Sequence, residues 1–132
     1  MFRIIFSIAL IAHGIGHVIG VSAAWTPVKM GFSNHPWIFS KGVNITSGIG
    51  RNFGVVWLAA LIFSIAAGVA LILRLEGWTA LAILGACISS VALFIWWRAF
   101  PSGSNVSALV FNLLILAALL GPWSSKAVEA LQ

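Results

Sequence analysis

The sequence predicts an all-α integral membrane four-helix bundle, with one long loop between helices 1 and 2. Three observations carry that prediction. The 132 residues are 61% hydrophobic and only 7% charged, the apolar residues gather into four long runs, and all four prolines fall between those runs. A soluble domain needs a charged shell several times richer than this. Two acidic residues in the whole chain cannot supply one, so lipid takes its place. Crossing roughly 30 Å of hydrocarbon takes about 20 apolar residues, and four spans account for about 80. That leaves a single transmembrane domain, 1–132, and little else.

The first run, about 2–24, is FRIIFSIALIAHGIGHVIGVSAA. Arg3 ahead of it and Ser22-Ala23-Ala24 at its end resemble a secretory signal. The run is too long for such a signal and holds two histidines, so a retained span is expected. The second run covers about 54–73, the third 78–97 and the fourth 106–121. Pro27, Pro36, Pro101 and Pro122 lie in the connections, where a missing amide donor costs nothing. Trp25, Trp57, Trp78, Trp96, Trp97 and Trp123 fall at the expected span ends, as rings that prefer the headgroup boundary do; Trp37 lies in the long loop. The short links 74–77 and 98–105 make spans two, three and four antiparallel neighbours. An even number of spans puts both termini on one side. Three basic residues there, against four with the long loop, do not decide which side.

The formal charge of +5 does not point to nucleic acid, because the basic residues are scattered at the ends of apolar runs. That placement suits anionic lipid headgroups. Cys87 is the only cysteine, so an internal disulfide is excluded.

The first helix has two unlike faces. At 100° per residue, Ala9, Gly16, His17, Gly20, Ala23 and Ala24 fall within about 80° of His13, while Ile8, Ile11, Ile15, Val18 and Ser22 fall opposite. The aliphatic face suits lipid. The small face calls for a partner helix, with Gly16-x-x-x-Gly20 allowing close backbone approach. Matching small residues occur in helix two (Ala60, Ser64, Ala67, Gly68) and helix three (Ala82, Gly85, Ala86, Ser89). His13 and His17, at i and i+4, share a face. A buried imidazole needs polar partners that hydrocarbon does not provide. Depth along the helices puts Ser89, Ser90 and Asn112 near the level of His17, with His13 and Ser64 deeper. His13, His17, Ser64, Ser89, Ser90 and Asn112 are therefore the candidate binding residues, read either as a structural polar network or as the wall of a ligand site. Two histidines without a third strong ligand do not make a metal site. His35 completes one only if the loop folds inward. Two histidines on one helix also cannot clamp both faces of a haem.

The loop, about 25–53, mixes Met30, Phe32, Trp37, Ile38 and Phe39 with polar residues. Its first reading is a solvated loop with headgroup-facing cations; the alternative is a cap along the membrane surface at the His17 end of the bundle, with His35, Lys41, Arg51 and Arg98 ringing the mouth. Asn44-Ile45-Thr46 matches the glycosylation sequon, which matters only in a eukaryotic secretory setting.

The motif His13-Gly14-x-x-His17-x-x-Gly20 resembles the HG-x-x-H-x-x-G-like first helix of a group of small bacterial four-span membrane proteins. The resemblance extends to FGVVWLAALIFSIAAG and to Asn112. More distantly, FRIIFSIALIAHGIGHVIG looks like DoxX-type membrane proteins, a four-helix group linked in part to quinone-coupled sulfur oxidation. This chain departs from DoxX at His17, where a lysine is often found. It also lacks the closer group's amide near Ser90 and acid near Arg98. The resemblance implies the fold and a bacterial inner-membrane location, and no set activity. With no embedded carboxylate and no nucleophile–base pair, the first expectation is a non-catalytic accessory or scaffold subunit. It would join other membrane subunits, or itself, through small-residue faces. The alternative is a redox-coupling subunit that binds a quinone, lipid or haem near His13 and His17.

Overall fold

In the computed structural model, which describes residues 1–27, 33, 36 and 42–131, the first apolar run forms two helices in series. Helix α1 (Phe2–Gly16) and helix α2 (Val18–Trp25) are separated only by His17. There the hydrogen-bond ladder tightens. The His17 amide donates to the Gly14 carbonyl at 3.0 Å and the Val21 amide to the His17 carbonyl at 3.2 Å, while His17 keeps right-handed angles of φ −71° and ψ −13°. The expected uninterrupted helix over 2–24 thus has a one-residue joint at a candidate site residue.

Helix α3 (Gly48–Ile72) begins six residues before the expected Gly54. Its N-cap is Ser47, whose Oγ accepts from the Gly50 amide at 3.3 Å and donates to the Asn44 carbonyl at 2.6 Å. The sequon residues are held in a turn, where Asn44 Oδ1 accepts from the Thr46 amide and hydroxyl at 3.0 and 2.8 Å. Arg51 accordingly sits in the first turn of α3 rather than in the loop. Most of the proposed surface cap, including Met30, Phe32, His35, Trp37, Ile38, Phe39 and Lys41, lies outside the described residues.

Helix α3 ends in a Schellman motif: the Leu75 amide donates to Ala70 O at 2.8 Å and the Arg74 amide to Leu71 O at 3.3 Å. This places Arg74 in the left-handed region at φ +56°. Gly77, at φ +85°, then starts helix α4 (Trp78–Ile95). A single 3-10 turn, Trp97–Ala99, leads to helix α5 (Ser102–Leu120), which starts four residues before the expected 106. A short amphipathic helix, α6 (Ser124–Leu131), was not expected from the sequence. Its Val128 and Leu131 pack on a core of Leu10, Leu71, Trp78, Ile115 and neighbours.

The spans Phe2–Trp25, α3, α4 and α5 are each long and apolar enough to cross a membrane. Ile4, Ile5, Ile8, Ile15, Val18 and Ile19 on the first span and Leu113, Leu114 and Leu120 on α5 all point outward, as lipid contact requires. Helix α3 is the hub, packed against α1 and α2 on one side and α4 on the other; α5 packs along α4, and α6 touches α5 and α1. The tryptophans do not all form a rim. Trp57, Trp78 and Trp96 are 2%, 3% and 0% exposed, because the early start of α3 carries Trp57 well inside its helix and the other two face the core.

The buried face of the first span is Ser7, Leu10, Gly14, His17, Gly20, Ala23 and Ala24, rotated by about 50° from His13. Gly16 therefore falls outside the contact, and a Cβ there would meet nothing within 4 Å. Gly20 makes the close approach, since its Cβ would lie 2.5 Å from Trp57 Cγ and Cδ2. Gly20→Ala should lower the thermal unfolding midpoint in detergent, at a cost of about 1–3 kcal/mol, and Gly16→Ala should leave it nearly unchanged; circular dichroism melts compare the two. At Arg74, glycine removes the left-handed penalty, so Arg74→Gly should raise the midpoint, by about 1 kcal/mol in stability.

Candidate functional site: a cleft between the first and last spans

Because α5 packs along α4 rather than along α2, a cleft of about 490 Å³ opens between them. One wall is His13, Gly16, His17, Ile19 and Gly20. The other is Phe100, Pro101, Ser104, Asn105, Ser107 and Ala108, and Trp57 and Leu93 contribute from α3 and α4. That volume lies within the usual range for small-molecule sites, about 300–1,000 Å³.

A ladder of rings runs along this region. Phe111 lies 4.9 Å from His13, and His13 stands edge-on to His17 at 4.8 Å between centroids. His17 is 5.7 Å from Trp57, which is 5.2 Å from Phe100 in a T-shaped contact. The joint at His17 puts its ring between His13 and the indole. Gly20, with no side chain, lets that indole lie against α2. His17 is only 5% exposed, so its ring faces the interior, while His13 is half-buried.

Three polar atoms here are buried without a hydrogen-bond partner: His17 Nε2, Trp57 Nε1 and Asn105 Oδ1. Native proteins satisfy nearly all such atoms, so their gathering around one cavity calls for an explanation. Asn105 has a fixed orientation. Its Nδ2 donates to the Trp97 carbonyl at 2.5 Å and to the Phe100 carbonyl at 3.3 Å, which commits the nitrogen side and leaves Oδ1 as an acceptor.

Among the expected site residues, the fold brings His13, His17 and Asn112 together and places Ser89 behind them. Asn112 forms a side-chain hydrogen bond with His13 and donates from Nδ2 to Ser89 Oγ at 2.8 Å, deep between α4 and α5. Ser64 packs instead beneath Gly85 in the α3–α4 seam, where a Cβ on Gly85 would be 2.8 Å from its Oγ. Ser90 turns back on its own helix and donates to Ala86 O at 2.7 Å. Neither serine lines the cleft. Sequence reasoning missed Trp57, taken for a boundary residue, and Asn105, taken for the edge of the last span. The available signal for Asn105 was an amide set close behind Pro101 at a helix start. Among the described residues, no three His, Cys, Asp or Glu side chains come together.

No protein-family model, no curated protein and no solved structure matches this chain.

The Asn112–Ser89 bond is a direct test of the polar seam. A double-mutant cycle of Asn112→Ala and Ser89→Ala, read by unfolding in detergent, should give a coupling of about 0.6 kcal/mol, the usual size for interhelical bonds in membrane proteins.

Proposed function

We propose that this chain is a multi-pass membrane protein that binds a small amphiphilic molecule, quinone-like or lipid-like, in the cleft between α2 and α5. One observation carries the reading. His17, wedged between His13 and Trp57, lines an apolar cavity and keeps Nε2 without a partner. Interhelical polar bonds contribute only about 0.6 kcal/mol on average, so two adjacent imidazoles in a span are poorly accounted for by stability. As walls for a polar head with an apolar body they are well suited. Among the described residues, the cleft lining includes no carboxylate, cysteine or lysine. The resemblance to small bacterial four-span proteins supports placing the chain in a bacterial cytoplasmic membrane.

The reading as an accessory subunit joined through small-residue faces draws less support. Ala60, Ala67, Ala82 and Ala86 are buried inside this chain, and Gly54 and Gly68 would clash with Trp25 and with Ser7 and Ile11 on gaining a Cβ. These faces are already engaged between the chain's own helices.

Protein purified in mild detergent should carry a small amphiphile at near-stoichiometric level, identified by native mass spectrometry and solvent extraction. His17→Leu, apolar and of similar size, should lose most of it, whereas Ser64→Ala, in the α3–α4 seam, should retain it. A preparation empty of small molecules but bound to other membrane subunits would sink this reading.

A further inference from the structure

The chemistry of the head that the cleft would take follows from the start of α5. That helix has no side-chain cap. Its N-cap is Pro101, and its first turn holds no acidic residue. The Asn105 amide is already engaged with the Pro101 carbonyl at 3.1 Å, but the amides of Ser102, Gly103 and Ser104 precede any intrahelical acceptor. The three residues are exposed. Aligned peptide dipoles make such an end an anion-binding position. Arg98, exposed on the turn just before it, adds positive charge, and the chain carries +5 in all.

A helix end alone would decide nothing, but Pro101, Ser104 and Asn105 also form one wall of the cleft. Two side chains on the cleft walls, Asn105 at 1% exposed and His17 at 5%, hold polar atoms that lack partners. Asn105 is the more informative of the two. With its Nδ2 donating to two backbone carbonyls, its Oδ1 asks for a hydrogen-bond donor. A bare anion does not provide one; a hydroxyl does. The remainder of the cleft, from Ile19, Leu93 and Ala108, is apolar and suits an acyl chain.

Resting on the amphiphile-binding reading above, we propose that the cleft takes an anionic lipid. Its phosphate sits against the first turn of α5, and a head-group hydroxyl beside it donates to Asn105 Oδ1. The acyl chain runs along the apolar walls.

Two probes that differ only in the phosphate test this on the full chain, stripped of lipid in detergent: oleoyl lysophosphatidic acid and monoolein, titrated by native mass spectrometry. The wild type should favour the phosphate-bearing probe by about fivefold or more. Ser104→Asp places a carboxylate where the helix dipole welcomes it, so the helix is kept while a phosphate is repelled. The ratio of the two affinities should then fall by about fivefold. Circular dichroism checks the fold, and Ser102→Asp repeats the test if Ser104→Asp does not fold. Equal binding of the two probes, or a ratio unmoved by the aspartate, overturns the anionic assignment and leaves the cleft reading standing. Inorganic phosphate competing as well as the lysolipid overturns the lipid assignment. Failure of both probes to bind overturns the lipid assignment, and the amphiphile reading then stands or falls on the co-purification experiment above.

Discussion

The contact between Gly20 and Trp57 is the constraint on which the cleft depends. Any side chain at residue 20 would occupy the space of the indole, whose Cγ and Cδ2 lie 2.5 Å from the Cβ position. With hydrogen there, Trp57 lies flush against α2, and three helices become fixed by one ring. It meets His17 of the first span at 5.7 Å and Phe100, just before α5, at 5.2 Å. The same indole belongs to the core cluster of Ala24, Ile45, Ala92, Trp96 and Ala99, which fixes the end of the bundle nearest the cleft mouth. Packing density in such a core leaves little room for adjustment. The position of the cleft wall is therefore set by the residues behind it.

The cleft exists because the bundle closes at one end and stays apart at the other. Short links force α3, α4 and α5 into consecutive antiparallel contact, whereas the long connection before α3 leaves the first span free to choose its neighbour. It chooses α3. At the far end, α6 packs Val128 and Leu131 onto a core containing Leu10 and Ile115, tying α1 to α5. His13 and Phe111, with rings 4.9 Å apart, mark where the two sides still touch. From there toward Gly20, about 10 Å along the helix axis, they part. The single-residue joint at His17 falls within that stretch, where a tightened turn reorients the chain beyond it.

Much of this architecture was legible in the sequence. The apolar runs and the prolines outside them identified four helical segments long and apolar enough to span a membrane; their ends moved, and the first acquired a joint at His17. Those ends moved because capping is local chemistry that hydropathy does not register: Ser47 starts α3 six residues early, and Arg74 terminates it in a conformation usually given to glycine. The pairing of His13 with His17 followed from helical spacing, whereas depth put Asn112 at the level of His17 and the structure sets it beside His13. Ser64 and Ser90 did not follow, because depth fixes the level of a side chain but not its direction, and serine readily satisfies itself on its own helix, as Ser90 does. The rotation of the first span by about 50° was equally hidden. It is set by which neighbour accepts a glycine contact, and Gly16 and Gly20 look alike until Trp57 is in place. Trp57 and Asn105 escaped because each has a common bland role, ring at a boundary and amide at a helix start. Only the tertiary structure shows them sharing one cavity.

Three side chains that line the cleft carry unsatisfied polar atoms. Leaving a buried donor or acceptor unpaired costs about 1–3 kcal/mol, in a fold whose total stability is of order 5–15 kcal/mol. An apolar side chain of similar size avoids that cost, and lipid-facing positions on the same helices use isoleucine, valine and leucine freely. The chain nonetheless places an imidazole, an indole N–H and an oriented carboxamide on the walls of one cavity, and holds the carboxamide in place with two bonds to backbone carbonyls. An unpartnered atom also occurs away from the cleft, at Trp96 Nε1, while other polar side chains turn to a nearby carbonyl, as Ser7 and Ser90 do. Here the geometry that fixes Asn105 is also what prevents its oxygen from finding a partner within the chain. The amphiphile-binding proposal accounts for such a group, because a bound molecule would supply its partner.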